Sequence, residues 1–119
     1  MARQGLPWRL RQANWREERM VAVRRLAAAL ARLGAQRIIL FGSLAMGEDS
    51  VGPDSDVDLV VVMPGVEGVR FHKRLADVEA VRRFPYPLDM VVYSPGEWEE
   101  VRQRTFVRSE VLGRGVVLH

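Results

Sequence analysis

The chain has 119 residues, of which 48% are hydrophobic, with no cysteine and a formal net charge of +3 at pH 7. That length and composition suit one domain folded around a core, and they exclude a disulfide framework, a thiolate metal site and a Cys nucleophile. No stretch approaches the ~18 apolar residues of a membrane span and the basic amino terminus lacks the apolar run of a signal peptide, so we predict a cytoplasmic protein without membrane attachment.

The first predicted element is a long helix that begins near Asn14, a good N-cap residue, and ends before Gly34. Residues 1–13 before it are predicted to form an irregular extension. Apolar residues at helical spacing predict one buried stripe, formed by Val23, Leu26, Ala27, Leu30 and Leu33. The arginines expected outside this stripe are Arg16, Arg24, Arg25 and Arg32.

Short apolar runs rich in β-branched residues predict three strands, Arg37–Phe41, Asp56–Met63 and Leu88–Tyr93. The first two are separated by a connector, residues 44–55, which a short helical turn after Ser43 can open. The second strand ends in residues that are apolar on both faces, which is typical of a strand in a sheet with layers on both sides.

Two further helices and an edge strand complete the predicted order. A helix over 69–83 should turn Phe71, Leu75, Val78 and Val81 inward, with Arg70, Lys73, Arg74 and Asp77 on its solvated face. Ser94 and Glu97 match a capping box that begins a last helix, whose inner side should carry Trp98, Val101 and Thr105. Val116–Leu118 is predicted as a short edge strand. This order predicts one α/β domain over residues 1–119.

Two acidic residues at the start of the second strand carry the chemical argument. Asp56 and Asp58 lie at positions i and i+2 of an extended segment, so their carboxylates project to the same side with Cα atoms roughly 6.5–7 Å apart. Carboxylates this close repel each other, and a divalent cation such as Mg²⁺ relieves the repulsion. The alternative is two Asp residues that end a turn before an apolar strand.

Two more features strengthen the metal interpretation. Gly42 and Ser43 end the first strand, where free N–H groups and a hydroxyl can hold phosphate oxygens, although Gly-Ser by itself is a common turn. Asp89 lies inside an otherwise hydrophobic strand and can complete a three-carboxylate cluster if the second and third strands are neighbours. Three carboxylates beside a phosphate site suit two-metal phosphoryl or nucleotidyl transfer. With no Gly-Lys pair, a P-loop is excluded.

The order of these motifs resembles the DNA polymerase beta-like nucleotidyltransferase superfamily, and within it the minimal nucleotidyltransferases. The resemblance rests on Phe41-Gly-Ser-Leu-Ala-Met-Gly47, Ser55-Asp-Val-Asp-Leu-Val-Val61 and Asp89, and it covers the chain from about residue 20 onward. It implies a single-domain nucleotidyltransferase fold with a mixed β-sheet flanked by helices.

The resemblance also implies roles for these residues. Gly42 and Ser43 would hold the β- and γ-phosphates of an NTP, most simply ATP. Asp56 and Asp58 would bind two Mg²⁺ ions, and Asp89 would ligate the catalytic ion and help to deprotonate the acceptor hydroxyl. Minimal nucleotidyltransferases are commonly encoded beside small all-helical HEPN-domain toxins and act as antitoxins, in some pairs by adenylylating a tyrosine of the partner.

The sequence departs from the family pattern in two places. Met46 stands where the family usually has a basic residue, and twelve residues, Leu44 to Ser55, separate Ser43 from Asp56, which is longer than usual. These departures motivate a second interpretation, a non-catalytic antitoxin of the same fold that neutralises its partner by contact. The chain holds a catalytic core with no room for an acceptor domain, and we therefore expect a partner. The sequence also allows a homo-oligomer.

The basic amino-terminal third motivates a third interpretation. Residues 1–37 hold nine Arg and two Glu, whereas residues 38–119 hold nine basic and thirteen acidic residues. A basic segment of this kind can bind nucleic acid or an acidic protein surface, but it is more often the solvated face of a helix. Nucleic acid is therefore a partner that the sequence allows without favouring it.

Overall fold

The chain folds into a four-stranded sheet with helices on both faces. The structure is a computed structural model that describes residues 8–47 and 50–119, with side chains described from residue 14 onward. The helices are α1 Trp8–Arg32, α2 Ser43–Met46, α3 Glu79–Arg82 and α4 Pro95–Val101, together with a 3₁₀ turn at Phe71–Lys73 and a π-helical segment at Val107–Leu112. The strands are β1 Arg37–Phe41, β2 Val57–Val62, β3 Leu88–Tyr93 and β4 Val116–Val117.

The sheet has the order β3-β2-β1-β4 and is mixed. Strands β2 and β3 are parallel, whereas β1 runs antiparallel to both β2 and β4. In this register, Phe41 lies opposite Asp58, and Asp58 lies opposite Asp89. The second and third strands are therefore neighbours, which is the condition for a three-carboxylate cluster, and the predicted mixed sheet and edge strand are confirmed.

Alternating residues of the strands build a separate core on each face of the sheet. The larger core lies on the α1 side, and its members include Val23, Leu30, Ile38, Leu40, Val57, Leu59, Val61 and Val92. The smaller core lies on the other face, under the carboxy-terminal helices, and consists of Ile39, Val60, Val62, Trp98, Val101, Val107 and Val111. The prediction that the sheet has layers on both sides is confirmed.

Helix α1 is longer than the sequence predicted. It begins at Trp8, so Asn14 lies inside it and residues 8–13 are helical rather than an irregular extension; residues 1–7 lie outside the described part. The predicted end is confirmed. Gly34 has φ +110°, and the N–H of Ala35 donates to the carbonyl of Leu30 at 3.0 Å, which closes the helix. Leu33 is 58% exposed and does not belong to the buried stripe.

The prediction of a continuous helix over 69–83 is wrong. The segment instead forms the 3₁₀ turn and the four-residue α3, and between them Leu75 takes a left-handed conformation with φ +61°. Leu75, Val78 and Val81 still pack against the larger core, but Phe71 is 52% exposed.

Arg74 is buried at this break in the helix. The sequence placed it on a solvated face, yet it is only 5% exposed. Its guanidinium pairs with both carboxylate oxygens of Glu97, at 2.5 and 3.0 Å, and donates to the carbonyls of Val69 and Val92, both within 2.9 Å. The hydrogen bond to Arg74, aided by those at Ser94, lowers the pKa of Glu97 to about 2. A buried Arg needs such acceptors, and Val69, Val92 and Glu97 supply them.

The carboxy-terminal elements largely follow the sequence prediction. The capping box of α4 is present: Ser94 accepts from the N–H of Glu97 at 3.2 Å, and the Glu97 carboxylate accepts from the N–H of Ser94 at 2.7 Å. Trp98 and Val101 are buried, but Thr105 is exposed because α4 ends at Val101. Among the described helices, none combines the length and apolarity that crossing a membrane requires.

Candidate functional site

One edge of the sheet brings together the residues that the sequence singled out. Because β1 runs antiparallel to β2 and β2 runs parallel to β3, the end of β1 meets the beginnings of the other two strands. Asp58 and Asp89 are therefore direct neighbours on adjacent strands. Gly42 and Ser43 follow β1 at this same edge, and Asp56 lies one residue before β2.

The two paired carboxylates project from the face that carries the smaller core. Val57 and Leu59 point to the larger core, so Asp58 between them points to the opposite face, and Asp89 shares its orientation through the register. Asp58 is half-buried, whereas Asp56 and Asp89 are exposed. The cluster is thus partly sheltered at one carboxylate and open to solvent at the other two.

The environment of Asp58 opposes its ionisation. The pKa of its carboxyl is raised above the usual value of 3.8, first by burial and then by the negative charges of Asp89 and Asp56. A bound cation counters both causes. Its positive charge offsets the repulsion, and it supplies the interactions that water no longer makes with the buried carboxylate. The electrostatics of Asp58 are those of a ligand for a positively charged group.

Gly42 lies directly against the Asp58 carboxylate. Its φ of +73° is strained for any residue with a side chain, and a Cβ placed there would overlap Oδ2 of Asp58. Glycine at this position therefore satisfies two requirements, the left-handed backbone and the close approach of β1 to β2. The sequence predicted Gly42 beside a bound phosphate; the structure shows it beside the Asp58 carboxylate.

Ser43 is the first residue of α2 and is half-buried. Among the described residues, its hydroxyl has no hydrogen-bond partner, and Gly42 before it makes no side-chain cap for the helix. A hydroxyl in this position is available to an external acceptor or donor, such as a phosphate oxygen.

The carboxylates can supply some, but not all, of the ligands of a magnesium ion. Within residues 8–47 and 50–119, no three acidic or His side chains are arranged to hold a metal ion together. Mg²⁺, however, usually takes one or two carboxylates, several waters and the phosphates of its substrate rather than a closed protein cage. The Asp58–Asp89 pair, with Asp56 close enough to affect the Asp58 pKa, matches that requirement.

The other residues that the sequence singled out do not belong to the carboxylate cluster. Of the basic residues predicted on the solvated face of the 69–83 helix, Arg70 and Lys73 are exposed, whereas Arg74 is buried in its pair with Glu97. Met46, where the family usually has a basic residue, is 59% exposed at the end of α2.

Sequence reasoning missed Arg19. This residue is 4% exposed and donates to the carbonyls of Trp15, Pro53 and Ser55, the last of which directly precedes Asp56. A signal was present, since Arg19 lies four residues before Val23 and so continues the buried stripe of α1. Arg16 was expected outside that stripe, but it is half-buried and donates to the carbonyl of Leu44 at 3.1 Å.

Comparison with known proteins shows the family and the fold of the chain. Residues 23–117 match the family model described as the nucleotidyltransferase domain. The chain belongs to this family. The nucleotidyltransferase domain is similar in fold to a candidate nucleotidyltransferase from Sulfolobus solfataricus, known from a crystal structure, with a TM-score of 0.58 and 18% identity over 89% of this chain and 84% of that one. A search of curated proteins found no match.

The contact between Gly42 and Asp58 predicts a specific effect of Gly42→Ala. The new Cβ should push the Asp58 carboxylate away, in addition to straining the backbone by about 1–3 kcal/mol. The matched control is Gly34→Ala, since Gly34 also has a left-handed φ but has no atom within 4 Å of the place that a Cβ would occupy. We expect NMR titration to show a changed Asp58 pKa in Gly42→Ala alone; equal titration curves in both variants would contradict the contact.

The raised pKa of Asp58 predicts that Asp58→Asn stabilises the nucleotidyltransferase domain at pH 7 in the absence of divalent ions. The ionised carboxylate is less favourable in the folded chain than in the unfolded chain, so wild type loses stability as pH rises from 3.8 through the folded pKa. The gain of the variant should accordingly vanish below pH 3.8.

Urea unfolding at pH 3 and pH 7, with and without Mg²⁺, measures this difference. Asp77→Asn, at an exposed position away from the sheet edge, is the control and should show no gain. Saturating Mg²⁺ should reverse the order by stabilising wild type alone. A variant that is less stable than wild type at pH 7 without Mg²⁺ would rule out the repulsion.

Proposed function

We propose that this nucleotidyltransferase domain transfers AMP from ATP to a hydroxyl group. The observation that carries the proposal is the Asp58–Asp89 pair, held in register on parallel strands beside Gly42 and Ser43. A pair of carboxylates for cations and a neighbouring site for phosphates are the two parts that nucleotidyl transfer needs. Family membership supports the class of reaction, and the choice of ATP rests on the resemblance to minimal nucleotidyltransferases.

The proposed roles follow the position of each residue. Asp56 and Asp58 would hold two Mg²⁺ ions, and Asp89 would hold the catalytic one. When bound, these ions would lower the pKa of the attacking hydroxyl and offset the charge on the triphosphate and the departing pyrophosphate. Ser43 would donate its hydroxyl to a phosphate oxygen. Gly42 would contribute its main chain to the phosphate site, and its lack of a side chain leaves room for the Asp58 carboxylate.

Exposure supports a division of labour between the two paired carboxylates. Asp58 is half-buried, so it can hold a cation against the protein. Asp89 is exposed, so it can also reach the hydroxyl of an incoming acceptor and take its proton. The hydroxyl oxygen would then attack the α-phosphorus, with pyrophosphate as the leaving group.

The acceptor we propose is a tyrosine of a HEPN-type toxin, which the transfer would inactivate, so that this chain acts as an antitoxin. An apolar surface beside the carboxylates supports a protein acceptor. Phe41, opposite Asp58 in the sheet, packs edge-on against Phe106 with ring centroids 6.4 Å apart, and Phe106 is 60% exposed. Exposed aromatic rings are common where protein partners bind.

Mass spectrometry tests this proposal directly. Wild-type chain would be incubated with ATP, Mg²⁺ and an all-helical HEPN-type protein encoded beside it, and the partner would then be weighed. Each modified site should gain about 329 Da, the mass of a transferred AMP group. Asp56→Ala and Asp58→Ala should abolish the gain, whereas Asp77→Asn should leave it unchanged. An unmodified partner with wild type, or equal gains with Asp56→Ala, would refute the catalytic role.

A second function, neutralisation by contact alone, is favoured by two observations. No three acidic or His side chains of the described residues are arranged to hold a metal ion together, and the exposed Met46 supplies no positive charge to a triphosphate. On this alternative, the double variant Asp56→Asn/Asp58→Asn should still protect cells that express the toxin. Growth assays with and without the double variant decide the matter, and loss of protection by a folded double variant would exclude contact alone.

A further inference from the structure

We propose that Arg19 is a positioning residue for the carboxylates of the site, an inference that rests on the proposed function. Arg19 lies in α1, and its contacts with Trp15, Pro53, Ser55 and Tyr86 define what we call the Arg19 cluster. Two of these contacts fall on segments that lead directly into site residues: Ser55 precedes Asp56, and Tyr86 lies three residues before Asp89.

The guanidinium of Arg19 is held on all sides. It is 4% exposed, and Nη2 donates to the carbonyl of Pro53 at 2.8 Å, Nε to that of Ser55 at 3.3 Å and Nη1 to that of Trp15 at 3.1 Å. Its Cζ lies 4.4 Å from the centre of the Tyr86 ring. Because a guanidinium is planar and stays protonated, its donors fix the acceptors in one plane, and the ring stacks against that plane.

The connector before Asp56 depends on this anchor. Its last residues form a tight turn in which Gly52 donates to the Ser55 hydroxyl at 2.8 Å, and Ser55 donates back to the carbonyl of Gly52 at 3.2 Å. Arg19 binds this turn at Pro53 and Ser55 and so ties it to α1. Loops are otherwise the parts of a fold with the fewest constraints.

The start of β3 is tied to the same point. Tyr86 covers the Arg19 guanidinium, and the next residue, Pro87, accepts a hydrogen bond from the N–H of Val57 at 2.9 Å. Val57 pairs with Leu88, and the following pair in the register is Asp58 with Asp89. If the Arg19 cluster shifted, the main chain at Asp56, Asp58 and Asp89 would shift as well, because each lies within a few residues of a contact in the cluster.

Arg16 adds a parallel contact one turn earlier in α1. Its Nε donates to the carbonyl of Leu44 at 3.1 Å, directly after Gly42 and Ser43. Two arginines of one helix thus bind the main chain at both ends of the connector between β1 and β2. Both are drawn from the basic segment that the sequence assigned to solvent, nucleic acid or an acidic partner.

The test compares Arg19→Met and Arg19→Lys with Arg24→Met in the full chain. Lys keeps the charge but not the planar fork, and the Arg24 side chain, 59% exposed on the same helix, is the matched control. Mn²⁺ would be titrated in the presence of ATP, and amide hydrogen exchange would be followed on the metal-free protein. We expect both Arg19 variants to bind Mn²⁺ about 10- to 100-fold more weakly, as on loss of a supporting contact to a metal ligand.

The exchange data separate positioning from simple destabilisation. We expect the amides of Val57 and Asp58 to exchange faster in the Arg19 variants, while the amides around Trp98 on the far side of the sheet keep their wild-type rates. A folded Arg19→Met with wild-type Mn²⁺ affinity and wild-type exchange would overturn the proposal. Uniformly faster exchange at unchanged Mn²⁺ affinity would also overturn it, because that pattern indicates a structural role only.

Two provisions keep the test decisive. If Arg19→Met does not fold, Tyr86→Leu removes the stacked ring and leaves the three hydrogen bonds, and it should still weaken Mn²⁺ binding. If wild type itself binds no Mn²⁺, the proposed metal site fails, and the exchange rates of Val57 and Asp58 in metal-free protein alone decide whether Arg19 positions them. Faster local exchange would then support the positioning, and unchanged exchange would overturn it.

Discussion

Two neighbouring carboxylates repel each other in this domain, and the rest of the fold has to hold them together. Asp58 and Asp89 lie opposite each other on parallel strands, and strands in a sheet are only about 4.8 Å apart. Burial and neighbouring negative charges together raise the pKa of Asp58, so its ionisation lowers the stability of the folded domain when no cation is bound. Such an arrangement persists only if the rest of the fold holds both strands in place against it.

The strands themselves supply much of that restraint. β2 is apolar except at Asp58, and Val57, Leu59 and Val61 are fully buried in the larger core. A slip of one residue would exchange the two faces of β2 and bury the Asp58 carboxylate in the larger core. Burying an unpaired charge is costly, which opposes the slip, and the carboxylates are placed by residues that take no part in binding.

The strands could be predicted closely, whereas the long-range contacts of single arginines could not. β1 and β3 begin and end at the predicted residues, because β-branched runs bounded by Gly and Pro are a local signal. The structure of the 69–83 segment could not be predicted this way. Its periodicity predicts a helix, whereas the chain breaks at Leu75 and pairs Arg74 with Glu97, 23 residues away. The five candidate site residues do gather at one edge, but their roles stay predictions.

The two buried arginines differ in what they bind: Arg74 binds a carboxylate, whereas Arg19 binds main-chain carbonyls near the site. Arg74 pairs with a carboxylate, Glu97, near the opposite end of β3 and thereby holds the pKa of that carboxyl at about 2. A similar pair with Asp56 would fix the loop equally well, but it would neutralise a ligand that the cation needs. Arg19 instead donates to main-chain carbonyls on the loop, which have dipoles and no net charge. The connector is thereby held in place while the negative charges of the carboxylates stay available to a cation, which is why we assign the positioning role to Arg19 and a purely structural one to Arg74.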